Sequence, residues 1–153
     1  MIPPNKARFG LIVVIVLLGT IFRLASAEEK PVRLNPAALA FAQQLIEDGR
    51  VISDQKGNWR RDQPSTSRNN EFIRAHGLEE YAKWHLGIDL RHRSGSKAHY
   101  KFPFGDFNTA HRCGLLAVKA RAHEYGYVEI EAAATQLLAM IESARPARQK
   151  RID

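Results

Sequence analysis

The fifteen residues Tyr100 to Gly114, YKFPFGDFNTAHRCG, gather the most reactive side chains of the sequence. They hold an aspartate, a histidine, an arginine and the sole cysteine, Cys113, among four aromatic rings. Three chemistries could use such a set. Imidazole and thiolate together suit a transition metal. A cysteine beside a histidine makes a nucleophile with its base. An imidazole alone can act as acid or base near neutral pH.

Spacing weighs against metal. A helical chelate needs ligands at i and i+3 or i+4. The six histidines stand at 76, 85, 92, 99, 111 and 123, none closer than seven residues to the next. On a helix beginning at Phe107, His111 and Cys113 would point about 200° apart and could not share an ion. His92 lies between Arg91 and Arg93, a poor place for a dication. Ligands would have to meet across helices, as His85 and His111 would. No metal and no cofactor is expected.

Nucleophilic chemistry has no firmer signature. Gly-x-Ser-x-Gly is absent, Ser94-Gly95-Ser96 is a soft loop, and Cys113 falls on a face expected to be buried, where a thiol is inert. Glu79 and Glu80 are helical neighbours and diverge. Neither a P-loop nor Gly-x-Gly-x-x-Gly occurs.

The elements that must position these residues read as helices. Asn35-Pro36 is an N-cap with proline at the first helical position, followed by Leu39, Ala42, Gln43 and Ile46 at helical spacing and closed by Gly49. Val51-Ile52 is a very short extended piece. Ser53 to Asn70 reads as a long polar loop in which Trp59 is the one apolar residue, pinning the loop to the core. A second helical segment starts at Glu71 and is interrupted at His76-Gly77. Leu78, Tyr81, Ala82 and His85 then share a face, with Gly87 as the stop. Asp89 to Ala98 is a polar, basic loop.

Lys101 to Pro103 keep Tyr100 to Phe104 extended, because a residue before proline avoids the helical region. Asp106 is an N-cap for Asn108 or Thr109, and the central helix is expected from Phe107 to Tyr125, closed by Gly126. Only Arg112, Lys119 and His123 form a polar strip on it, so neighbours should surround the rest. Arg121 lies opposite that strip and should find a carboxylate. A last helix spans Val128 to Ser143 with Ile130, Ala134, Leu137, Leu138 and Ile141 as its stripe, and Pro146 stops it.

The ends of the chain are of another kind. Lys6 and Arg8 precede an apolar run of fourteen residues, Phe9 to Phe22, and Ala25-Ser26-Ala27 follows. This is the pattern of a secretory signal peptide cut before Glu28. If uncut, residues 9–22 would serve as an N-terminal membrane anchor. Residues 145–153 form a basic tail expected to be disordered. The formal charge is +7, and six of those charges lie at the ends: three basic residues in the leader, four basic and one acidic in the tail. The near-neutral body between them lacks the broad positive field that holds nucleic acid.

Residues 70–138 resemble a family of small uncharacterised prokaryotic proteins with the pattern WHLGID … YKFP[FY]GDF-x-x-x-HR-x-GL. The matching positions are His76-Gly77, Tyr81, Trp84 to Gly87, Tyr100 to Phe107 and His111-Arg112. The stretch Asp48 to Pro64, with Trp59, is also similar. The resemblance implies no activity. Family members begin near the first helix, so residues 1–27 are the departure, and a downstream translation start would make the address cytoplasmic.

The sequence thus predicts an all-α domain over residues 28–144, with four or five helices and a short extended segment before the central one. The function it favours is an exported accessory or binding module without catalysis. Its partner is unknown, an anionic ligand or a protein, held at the start of the central helix by His85, Tyr100, Lys101, Asp106, His111 and Arg112. The alternatives are an enzyme using His85 or His111 as acid/base group, and a nucleic-acid-binding module.

Overall fold

Asn35 links two segments that lie far apart in sequence. A computed structural model of the chain describes residues 30–149. In it, Asn35 takes an extended backbone and its side chain accepts from the Ala38 amide, capping α1 (Pro36–Glu47) with proline at the first helical position. Its amide group also donates to the carbonyls of Ala82, at 3.0 Å, and His85, at 3.1 Å. One buried side chain therefore starts one helix and fixes where another ends.

That second helix is α3 (Thr66–Ala82), capped by Ser65 and bent at Gly77, whose φ of 85° lies outside helical geometry. The bend falls where His76-Gly77 is expected to interrupt. Preceding it, β2 (Val51–Ile52) and a four-residue helix, α2 (Trp59–Asp62), sit in the region read as an extended piece and a long loop.

The expected all-α class is wrong, and the chain is α+β. β3 (His85–Asp89) is the middle strand of an antiparallel sheet, between β1 (Val32–Leu34) and β4 (Tyr100–Pro103), with Val32 opposite Asp89 and Gly87 opposite Lys101. A strand covered on both faces has no alternating pattern to read, and β3 is buried along nearly its whole length. Gly87 therefore does not stop a helix; it packs beneath the Phe102 ring. β2 pairs in parallel with β5 (Ala110–His111) in a second, two-stranded sheet. The extended reading of Tyr100 to Phe104 agrees with β4.

The central helix also differs. α4 spans Arg112–Tyr125 and closes on left-handed Gly126, as expected, but it starts five residues late. Phe107 has a φ of 71°, which a right-handed α-helix does not accommodate. Asp106 does accept from the amides of Asn108 and Thr109, yet these bonds close a turn before β5 instead of opening a helix.

α4 packs along α5 (Val128–Gln149), and α5 also carries α1 and touches β1. Leu45, Leu86, Phe104, Leu115, Ile130, Leu137 and Ile141 fill the space between them with almost no exposure. α4 buries one face only, through Cys113, Gly114, Leu115, Val118 and Ala122. Ala120 and Arg121 are exposed. Arg121 reaches Glu124 of its own helix and lies over Tyr125, in solvent. The expectation that neighbours surround this helix therefore fails on one flank.

Among the described residues no helix is long and apolar enough to cross a membrane. The leader, residues 1–27, lies outside the described residues. α5 continues through Pro146, so residues 145–149 of the expected tail extend that helix.

Replacing Asn35 with alanine removes a cap and leaves two carbonyls without their donor, so it should cost about 2–4 kcal/mol. Asn35→Asp keeps the cap and loses only the donors. Urea unfolding of both variants measures this; a loss below about 0.5 kcal/mol in each would show that Asn35 does not join these elements.

Candidate functional site

The first turn of α4 is held by a residue far away in sequence. His111 occupies the cap position and makes no side-chain cap bond. Instead Asp54, between β2 and α2, accepts from the Cys113 backbone amide at 2.6 Å through Oδ1. Its Oδ2 accepts from His111 Nδ1 at 2.7 Å and from the Cys113 thiol at 3.0 Å. Arg112 donates to the Asp54 carbonyl at 3.4 Å and to Glu142 of α5 at 2.9 Å. Burial pushes the Asp54 carboxyl up, but the bonds from Cys113 and then His111 outweigh it and hold the group below the usual range.

Asp62, at the end of α2, completes the cluster. One donor atom from each of Asp54, Asp62, His111 and Cys113 lies within 4.8 Å of the others. Trp59 packs against this turn: a Cβ on Gly114 would come within 3.0 Å of its ring and 2.8 Å of the Phe104 carbonyl. Only glycine allows that approach, and Trp59 does pin the long segment, as expected.

The angular argument against a shared His111–Cys113 site therefore lapses. It requires both residues on one helix, whereas His111 ends β5 and Cys113 is the second residue of α4. A strand-to-helix turn brings their side chains to one carboxylate. Cys113 is 1% exposed. Burial, and then the bond to Asp54, push its thiol up to about 12. The pair does not form a thiolate nucleophile, which needs a depressed pKa.

The six residues expected to form one surface fall into three places. Asp106, His111 and Arg112 surround the Asp54 turn, with Asp106 Oδ2 at 3.5 Å from His111 Nε2. His85 and Tyr100 lie in a separate aromatic group with Tyr81. His85 Nδ1 donates to the Tyr81 carbonyl at 2.9 Å, and burial lowers its pKa to about 4 against that bond. Lys101 lines a cleft of about 950 Å³ on the exposed flank of α4.

That cleft is walled by Trp59, Phe102, Leu116, Ala117 and Tyr127, with Lys56, Arg60, Arg91, Lys101 and Arg121 around it. Its one acidic residue, Asp89, is fully buried and bonded to Arg91 at 2.8 and 2.9 Å; those bonds hold its carboxyl down at about 2. Phe102 sits there with a φ of 61°, a strained geometry of the kind found at binding sites. Asp54, Asp62 and the cleft escape sequence reading. The one signal for them is the length of the segment from Ser53 to Asn70.

Two measurements follow. His85 is held neutral in the fold, so its contribution is intact above pH 6.5 and declines as pH falls towards 4, by up to about 3 kcal/mol. Urea midpoints between pH 7 and 4 should drop for the natural protein and change less for His85→Gln; equal slopes would refute this. The Cys113 thiol should react at pH 8 about 1,000-fold more slowly than an unfolded cysteine, in buffer containing a chelator. Asp54→Asn should speed it, and fast labelling of the native protein would show the thiol is not held as described. No family model, curated protein or solved structure matches this chain.

Proposed function

We propose that the protein is an exported binding module, without catalysis, that holds an anionic ligand with an apolar or aromatic body in the cleft beside α4. The observation that carries this reading is the charge pattern of the cleft. Five basic residues border it against one carboxylate, Asp89; Arg91 pairs with that carboxylate, which leaves Lys56, Arg60, Lys101 and Arg121 as the excess positive charge. Aromatic and small apolar side chains form the wall between them. Long basic side chains lay their stems on such walls and keep their charges at the rim, which suits a ligand charged at one end.

An enzyme built on His85 or His111 has less support, because neither imidazole lines the cleft. Nucleic acid has less support too, since a concave apolar wall favours a small body over a long phosphate backbone. Export rests on the leader pattern at residues 1–27.

The probe is 8-anilinonaphthalene-1-sulfonate, an aromatic sulfonate. It should bind one per chain, quench Trp59 emission, and weaken at least about tenfold in the double variant Lys101→Glu, Arg121→Glu. Unchanged affinity in that variant, or no binding to the natural protein, would reject the cleft as an anion site.

A further inference from the structure

Beneath the cleft wall, the Asp54 cluster presents an arrangement that the anion reading does not use. We propose that Asp54, Asp62, His111 and Cys113 form a binding site for a divalent transition-metal cation of the Zn²⁺ type. The proposal goes beyond the cleft reading and does not depend on it.

Donor type and distance come first. Carboxylate, imidazole and thiolate make up the ligand set of four-coordinate zinc. In a tetrahedral site with bonds of 2.0–2.3 Å, ligand atoms stand about 3.3–3.8 Å from one another. Here the four donor atoms already lie within 4.8 Å of each other. Two contacts, His111 Nδ1 to Asp54 Oδ2 at 2.7 Å and Cys113 Sγ to the same oxygen at 3.0 Å, are bridged by protons. A dication placed among these atoms takes over what those two protons do. The ligands also arrive on separate elements: the β2–α2 connection, the end of α2, the end of β5 and the start of α4. No single helix has to supply a chelating pair.

The second observation is independent of the cluster's composition. His111 Nε2 is buried and has no hydrogen-bond partner, although the His111 side chain is only 7% exposed. Nδ1 is taken up by Asp54 at 2.7 Å, and Nε2 is the ring nitrogen left without a bond. It faces the Asp106 carboxylate at 3.5 Å. The geometry leaves this buried nitrogen without a bonded partner, beside a carboxylate just beyond close hydrogen-bonding distance. Metal at Nδ1 resolves it. The ring proton then sits on Nε2 and is donated to Asp106, which becomes the outer carboxylate that orients a ligating histidine. Asp106 is already fixed for this by the amides of Asn108 and Thr109.

Proton balance is simple. Cys113 loses its thiol proton to solvent and binds as thiolate. The imidazole binds through Nδ1 and carries its one remaining proton on Nε2; a second ring proton, where present, leaves to solvent with that of the thiol. Asp54 Oδ2 loses two donors and gains the ion, while its Oδ1 keeps the Cys113 amide. Asp62 now pairs with Arg61 at 2.8 Å, and must turn one oxygen inward.

The test uses Co²⁺ as a spectroscopic probe and Zn²⁺ as competitor, on the full chain under reducing conditions. Co²⁺ should bind one per chain, give a thiolate-to-cobalt charge-transfer band, and be displaced by Zn²⁺. Cys113→Ser should abolish the band. Asp62→Asn, at a partly exposed position where folding is not at stake, should weaken binding at least about tenfold and keep the band. Nitrogen NMR of the His111 ring should show the proton on Nε2 once Zn²⁺ is bound. Absence of the band in the folded natural protein, equal affinity in Asp62→Asn, or a His111 ring unchanged by Zn²⁺ would each overturn the proposal.

Discussion

The carboxylate of Asp54 is the contact on which the rest of this structure turns. It accepts from a backbone amide, an imidazole and a thiol at once, all from Cys113 and His111. A first-turn amide of a helix normally finds its acceptor in the capping residue itself. Here the acceptor comes from 59 residues earlier, so the first turn of α4 is tied to the β2–α2 connection. The parallel pairing of β2 with β5 brings Ile52 opposite His111, two residues from Asp54, and sets that distance. Sheet, helix cap and donor cluster are thus one construction.

The legible parts of this fold are those in which a residue acts on its near neighbours. The Asn35 cap, proline at the first turn of α1, the break at Gly77, the Asp106 bonds and the closing Gly126 all depend on a few adjacent residues. The stripe of α5 was legible for the same reason: Ile130, Ala134, Leu137 and Ile141 are all buried. What escaped depends on distant pairing. β3 has only five residues and is covered on both faces, so it carries no period of its own. It becomes a strand because Val32 to Leu34 and Tyr100 to Pro103 lie alongside it.

The candidate site was hidden by a shift of one helix start. Counting from Phe107 puts His111 and Cys113 on opposite sides of a helix. Counting from Arg112 puts the histidine on a strand, and the angle between the two no longer follows a helical wheel. Asp54 and Asp62 stand in polar sequence that has no period, and nothing local marks them as partners of residues 111 and 113. The cleft was missed because α4 looks apolar nearly all round. Its small residues on the exposed flank, Ala117 and Ala120, leave the room that the cleft occupies.

The same geometry accounts for a lone thiol in the exported setting proposed above. An exposed cysteine in an oxidising compartment is open to disulfide exchange and oxidation, and both require thiolate. Burial and the Asp54 bond keep Cys113 protonated, and Trp59 covers Gly114, the next residue. That protection does not stop the sulfur from acting as a ligand. A dication lowers the pKa of the thiol it binds, whereas an oxidant meets it in its protonated form. In the metal site proposed above, the carboxylate that suppresses reactivity is also one of the ligands. Its Oδ1 would remain free there to keep its bond from the Cys113 amide.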